Sequence, residues 1–364
     1  MTVKAITDIL EQKAPLKLAE DFDNVGLLVG NADMEVSGIL VTLDTLEEVV
    51  EEAITRNCNL IVSFHPILFK GLKRITGATY VERVVAKAIE HQIAIYSMHT
   101  ALDNVPDGVS GKMCEVLGLQ SPQVLIPGAH KIKKLLTYVP LAAQDGLLDK
   151  LFEAGAGHLG NYSQCSFSSE GTGGFLPESG ANPTRGTRGK RHLEPEAQIH
   201  ITFEAHREKA VLTALLSNHP YEEVAYEITT LDNSYNGIGM GMLGHLPEPI
   251  KPEVFLKAIK KAFGTGCIRH SALLQTPVQK VAVLGGSGAF GIDAAIAKGA
   301  DFFITGDVKY HEFFKAEGKM VIADIGHYET EQFTKNLLAE YLSEKIPNFA
   351  ISLSETQTNP INYF

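Results

Sequence analysis
His327 and Glu331 stand directly after an apolar run of strand length, Met320-Val-Ile-Ala-Asp-Ile325, which Gly326 ends. Beyond the glycine, Phe333, Leu337, Leu338, Tyr341 and Leu342 recur at helical spacing, which predicts a helix starting near His327. His327 and Glu331 then share one face a turn apart, and Leu338 and Leu342 fall at almost the angular position of Glu331. A carboxylate on such an inward face needs a partner, because an unpaired buried charge is strongly unfavourable. A divalent metal ion is the expected partner, and His65 and Asp103 are expected to join it, with His99 and His311 as neighbours. Imidazole and carboxylate without thiolate suit zinc first, with iron, manganese or nickel as alternatives, at an open site that keeps water. One or two ions per chain are expected. A Glu331 carboxylate bridging two would let so few ligands hold a pair able to activate water and steady an oxyanion, with His99 or His311 moving protons.

The elements that must position these residues alternate. Strands are predicted over 38–44, 59–63 and 93–97, with helices over 46–56 and 81–91 between them. That order implies a parallel sheet with covered faces, whose strand ends share one edge. Asp44, His65, and His99 with Asp103 follow the three strands, where ligands of open α/β sheets gather. Taken singly, Asp44 reads as a helix cap and His99 as a hydrogen-bonded structural histidine.

From about residue 131 the pattern changes. A strand over 132–140, a helix over 146–154, a glycine- and proline-rich tract over 171–190, a strand over 198–203, a helix over 209–216 and a strand over 221–228 describe a small α+β sandwich. After Gly244 a helix over 252–263, strands over 280–284 and 301–305, a helix over 292–298 and a last strand over 349–354 restore the first pattern. The expected fold class is α/β: two similar α/β halves forming one discontinuous metal-binding domain, 1–126 and 246–364, interrupted by an inserted α+β domain, 127–245.

Composition narrows the function. The 364 residues exceed one ordinary core, and 45% hydrophobic with 21% charged residues is the balance of a globular chain. A net charge of −11 argues against a nucleic-acid backbone as main partner. The basic cluster Arg185, Arg188, Lys190 and Arg191 lies in the glycine- and proline-rich tract and reads as a solvated loop. Four scattered cysteines without a C-x-x-C pair exclude a zinc ribbon or disulfide scaffold and suit a reducing compartment. The first residues do not read as a signal peptide and no apolar run reaches spanning length, so a cytoplasmic protein without a membrane partner is expected.

Gly286-Ser287-Gly288-Ala-Phe-Gly291 is a G-x-G-x-x-G after a strand and before a helix, and Asp307 follows the next strand, so a dinucleotide site is one reading. The plainer reading is a tight turn whose backbone at Gly286, Ser287 and Gly288 contacts the anionic part of a small-molecule substrate. His219-Pro-Tyr-Glu222 reads as a turn before an edge strand.

Six motifs carry a resemblance: Asp23-Asn-Val-Gly-Leu-Leu-Val-Gly30, Ser63-Phe-His-Pro-Ile-Leu-Phe-Lys-Gly71, His99-Thr-Ala-Leu-Asp103, Gly285-Gly-Ser-Gly288, Thr305-Gly-Asp307, and Gly326-His327 with Glu331. In order and wording they resemble the GTP cyclohydrolase 1 type 2 homologue family, also called NIF-three-like, over nearly the whole chain. Gly160-Asn-Tyr, Ser169-Glu-Gly-Thr-Gly, Gly180-Ala-Asn-Pro and His219-Pro-Tyr-Glu222 are similar to members with a PII/CutA-like insertion. The resemblance implies a dinuclear metal site between two α/β halves in a ring-shaped homohexamer, with His65, Asp103, His327 and Glu331 at metal-ligand positions. Two departures stand out. The family pattern usually has two adjacent histidines before the proline, where this chain has Phe64-His65, and Tyr310 precedes His311 where a second histidine is often found. Phenylalanine cannot ligate, so one ion should be weaker, held by a substitute such as His99, or absent.

The expected function is a metal-dependent hydrolase of a small phosphate- or nucleotide-like molecule. Its alternative is a non-enzymatic metal-handling or ligand-sensing assembly. The family name implies GTP ring opening, and no residue in the sequence identifies guanine recognition.

Overall fold
In the computed structural model, which describes residues 1–129 and 131–364, the chain divides into two units, Met1–Gly128 with Gly237–Phe364, and Ala129–Asn236. The first unit begins with strands β1 (Gly26–Val29), β2 (Ile39–Thr42), β3 (Leu60–Ser63), β4 (Ala94–Ser97) and β5 (Gln120–Pro127). The second unit holds β6 (Lys131–Pro140), β7 (Ser166–Phe175), β8 (His192–Glu204) and β9 (Tyr226–Ser234). The first then resumes with β10 (Gly239–Ile250), β11 (Arg269–His270), β12 (Val278–Ser287), β13 (Phe302–Gly306), β14 (Val321–Asp324) and β15 (Ile351–Leu353).

Two sheets organise the first unit. One has the order β1-β4-β3-β2-β15, parallel except for antiparallel β1 at its edge. Every residue of β2, β3 and β4 is buried, as apolar strands covered on both faces require. The helices Glu47–Thr55 and Tyr80–Glu90 pack Val49, Val50, Val84 and Val85 against Leu40, Ile61 and Ile95. The other sheet has the order β11-β14-β13-β12-β10-β5, and only β12, β13 and β14 run parallel. The architecture is therefore mixed α/β with several sheets, and the uniformly parallel expectation fails at the edges. Antiparallel β5 and β10 carry no helix between parallel partners, so helix-strand alternation gives no sign of them.

Each sheet takes one strand from the far part of the chain. β5 precedes the second unit yet pairs with β10, while β15, near the C-terminus, pairs with β2. β10 starts at Gly239 inside the six-stranded sheet, so the first unit resumes at Gly237, before the expected residue 246.

The second unit is one antiparallel sheet of order β7-β8-β6-β9 with helices Gln144–Glu153 and Glu208–Asn218, giving the chain order β-α-β-β-α-β. Leu135, Val139, Ile199 and Ile201 share its core with Leu147, Leu151, Val211 and Leu215. β7 lies partly in the glycine-rich tract read as loop. Its serines and glycines have low strand propensity, and it is a strand because all ten residues pair in register with β8.

One predicted helix is interrupted. His327–Glu331 and Thr334–Lys345 are separate, divided at Gln332 and Phe333. The Thr330 hydroxyl donates back to the His327 carbonyl at 2.6 Å, a bond that competes with the helical ladder. Leu338 and Leu342 beyond the break are fully buried.

The segment after β15 is clamped by Glu52. Its carboxylate accepts the Ser354 hydroxyl (2.7 Å), the Glu355 amide (2.9 Å), and the Thr356 amide and hydroxyl (3.2 and 2.7 Å). Glu52→Ala should cost about 1–3 kcal/mol by leaving these donors unpaired. Hydrogen exchange at Ile351–Leu353 should speed up while Phe302–Gly306 stays protected; unchanged exchange at β15 would refute the clamp.

Candidate metal centre
Parallel strands of both sheets end at the same group of side chains. His65 follows β3, and His327 follows β14 and opens the helix His327–Glu331. The Nε2 atoms of the two imidazoles lie 3.1 Å (His65) and 3.2 Å (His327) from a single oxygen, Glu331 Oε2. That oxygen is buried and makes no hydrogen bond of acceptable geometry. His65, His327 and Glu331 thus form a group that could hold a metal ion, with ligand atoms all within 4.8 Å of one another.

Each imidazole is fixed from behind. His65 Nδ1 lies 2.8 Å from Asp44 Oδ1, and Asp44 Oδ2 accepts the Thr358 hydroxyl at 2.6 Å. His327 Nδ1 lies 2.7 Å from Asp307 Oδ2. A third imidazole repeats the arrangement: His99 Nδ1 lies 2.8 Å from Asp23 Oδ1, while Asp23 Oδ2 takes the Thr100 amide and hydroxyl. The His65 ring is 5.3 Å from His99 and 5.6 Å from His327, centroid to centroid. A carboxylate on Nδ1 sets the tautomer and leaves Nε2 as the ligating nitrogen, as behind metal-bound histidines generally.

Charge at the site is settled by opposed effects. Burial works against an ionised Glu331, yet its contacts with His327 and His65 outweigh burial and hold the carboxyl down to about 2. Burial also disfavours imidazolium at His65, but Asp44 and Glu331 raise it to about 10. His327 goes up to about 9 for the same reasons, with Glu331 ahead of Asp307. Asp103, half-buried at the end of the helix His99–Asp103, is pushed well above the carboxylate range by burial first and the Glu331 charge next. In the metal-free chain positive charge is thus favoured on the two rings that face Glu331, where a cation would stand.

The glycine-rich turn has a steric purpose here. Gly286 has φ +65°, and a Cβ there would come within 2.3 Å of Glu331 Oε1. Its amide donates to the Thr330 hydroxyl at 2.9 Å, and the Gly288 amide donates to Thr305 Oγ1 at 3.0 Å. Those two amides are committed within the protein rather than offered to an anion, and Ser287 pairs with Gly306 in the sheet. The dinucleotide reading loses its other support as well. The following helix, Ile292–Ala297, is six residues long, and Asp307 is engaged by His327.

The sequence reading of Asp44 as a helix cap is corrected. Asp44 does not cap a helix; Leu46 is the N-cap of Glu47–Thr55 and makes no side-chain capping bond. His311 is exposed, with ring contacts to Tyr310 and Phe314. The acids Asp23, Asp44 and Asp307 were not recognised as histidine partners. The available signal was position: Asp44 and Asp307 each follow a strand adjacent to one that is followed within three residues by a histidine.

Strand ends of two sheets bringing two histidines and a carboxylate within 4.8 Å of one another define a class of mixed α/β protein with a possible His/Glu metal site. Within that class, the chain belongs to the Duf34/NIF3 (NGG1p interacting factor 3) family, whose profile matches residues 1–360. Curated relatives named "GTP cyclohydrolase 1 type 2 homolog" include one from Halalkalibacterium halodurans, 37% identical over 366 residues, covering 99% of this chain and 98% of the relative. Another, from Bacillus subtilis, is 36% identical over 363 residues, covering 98% and 97%. Among solved structures, a Bacillus cereus protein related to NIF3 is 36% identical, with a TM-score of 0.89 over 100% of this chain and 99% of that one. No helix among the described residues is long and apolar enough to cross a membrane.

The pKa directions set a stability profile for the metal-free chain. Raised His65 and His327 stabilise the fold fully below their unfolded value of about 6.5, and that contribution is lost as pH climbs through about 9 and 10. Depressed Glu331 stabilises above about 4.5, and its contribution is lost as pH falls toward about 2. Chelator-treated protein should therefore melt lower at pH 10 than at pH 7, with a second loss below pH 4. Glu331→Gln should flatten both arms; melting curves by circular dichroism that keep both arms in this variant would contradict the assignment.

Proposed function
We propose that His65, His327 and Glu331 hold a divalent cation, with Asp103 as a further ligand, and that the chain is a metal-dependent hydrolase of a small phosphate- or nucleotide-like molecule. One observation carries this reading: a buried carboxylate oxygen without a hydrogen bond, flanked at 3.1 and 3.2 Å by two imidazole nitrogens braced on their far sides. Such an oxygen is costly to leave as it is, and a cation satisfies it and both nitrogens together. Two imidazoles with carboxylate and no thiolate suit zinc first, and iron, manganese or nickel next. A bound divalent cation supplies Lewis acidity that activates water and steadies negative charge on a phosphoryl oxygen.

The chain's own residues then have distinct tasks. Asp44 and Asp307 orient the two ligating rings. His99, its Nδ1 held by Asp23, takes a proton and returns it in this reading. Phe64 is fully buried, its ring 4.9 Å from His65 and 5.5 Å from His99, and it offers no donor where a second ion would need one. One well-held ion is therefore the proposed complement.

Phe64 is also the observation favouring a second reading, a non-enzymatic metal-handling or ligand-sensing assembly. The β-α-β-β-α-β order of the second unit supports a PII/CutA-like insertion in that role. Exposed Tyr310, Phe314 and Phe290 supply apolar surface for the homohexamer that accompanies either reading.

Metal analysis of the purified protein should give about one equivalent in the wild type and none in Glu331→Ala, with Phe64→His raising the content toward about two. Equal content in wild type and Glu331→Ala would remove the site. GTP is the first nucleotide to test, because the curated relatives carry its name. Hydrolysis by metal-loaded wild type that vanishes in folded Glu331→Ala is the outcome expected of the enzyme. Absence of turnover across a nucleotide panel, with metal bound, would leave the metal-handling reading in its place.

A further inference from the structure
The second unit has a cavity of about 1050 Å³ lined only by its own residues. Glu196 on β8 is its buried acid, with 7% of its surface exposed. Glu196 Oε1 accepts the Tyr221 hydroxyl at 2.6 Å. Burial, then this bond to Glu196, keep the Tyr221 hydroxyl well above its ordinary range, so it donates. The other oxygen, Oε2, lies over bare backbone of β7; a Cβ built on Gly173 would sit 1.9 Å from it. Among the described residues no lysine, arginine or histidine pairs with Glu196. The single cationic residue of the lining, Arg185, is exposed and turned to Glu194 at 4.0 Å, which His192 already engages at 2.7 Å.

The rest of the lining has a consistent character. Phe175 and Tyr221 meet edge to face with centroids 5.8 Å apart, and Tyr138 adds a third ring. Glu178, Glu222 and Glu223 add carboxylates, one of them held in place by the Asn182 amide on Glu222 at 2.7 Å. The Glu196 carboxylate has one hydroxyl partner and no ion pair among the described residues, so a cation in the cavity would complete it. Aromatic faces also attract cations while offering apolar area. An anionic ligand would be repelled, and a neutral apolar one would leave Glu196 unmatched. The volume exceeds what a bare ammonium fills and lies in the range of small-molecule sites.

We propose that this cavity binds a small organic cation, an ammonium or guanidinium group against Glu196 with its apolar body against Phe175, Tyr221 and Tyr138. The site is independent of the metal centre and of the reaction assigned to it.

Calorimetry on the full chain, with EDTA present to remove any metal contribution, tests it with three probes: 2-phenylethylammonium, agmatine and tetramethylammonium. At least one should bind saturably, with 2-phenylethylammonium preferred over neutral 2-phenylethanol by roughly tenfold or more. Glu196→Gln should weaken the bound cation by a similar factor, roughly tenfold. The ammonium–alcohol comparison uses wild-type protein alone, so it decides the matter even where the variant folds poorly. Saturable binding of none of the three cations, or equal binding of the alcohol, overturns the proposal. So does a Glu196→Gln variant that loses assembly mass while wild type binds no probe, since a basic side chain from a second copy would then be the occupant.

Discussion
A carboxylate that is buried and still ionised governs the architecture of the first unit. Glu331 keeps its charge because two imidazoles face one of its oxygens, and those rings keep theirs because Asp44 and Asp307 stand behind them. Removing any of these groups strands the others in a medium that solvates charge poorly. The order of dependence runs outward from there. Strand ends supply the histidines, turn acids orient them, and the turn at Gly286 must lack a side chain because Glu331 fills the space.

Two of the seven non-glycine residues with positive φ among the described residues lie in the same place. His99 (φ +25°) and Asp307 (φ +53°) are non-glycine residues with positive φ, conformations that cost on the order of 1–3 kcal/mol each. Both side chains are tied, His99 to Asp23 and Asp307 to His327, so the strain is held by bonds that orient the imidazoles. The far end of the chain joins the same network when Thr358 donates to Asp44. Rings braced in this way reorganise little when a ligand arrives, which favours tight binding over adaptability.

Much of this was legible in the sequence for identifiable reasons. Buried parallel strands are unbroken apolar runs, so β2, β3 and β4 declare themselves, and with them the position of His65 just beyond β3. Helical spacing after Gly326 puts His327 and Glu331 on one face. The bracing acids are a different case. Asp23, Asp44 and Asp307 sit in turns, where no periodicity identifies a partner and an aspartate reads equally well as a cap. Sequence also overvalued the G-x-G-x-x-G, because the spacing of the glycines does not reveal whether they make room for a phosphate or for Glu331. β7 was hidden because pairing with β8, rather than residue preference, makes it a strand.

The exchanged edge strands carry a consequence for biosynthesis. The sheet that positions His65 has its outer strand, β15, within the last fourteen residues of the chain, beside the threonine that steadies Asp44. A nascent polypeptide emerging from the ribosome therefore carries His65 long before that sheet can close. His65 and its partner Asp44 emerge together, whereas Thr358, which steadies Asp44, follows 314 residues after that aspartate. Until β15 arrives, β2 presents an unpaired edge whose backbone donors and acceptors are open to neighbouring chains.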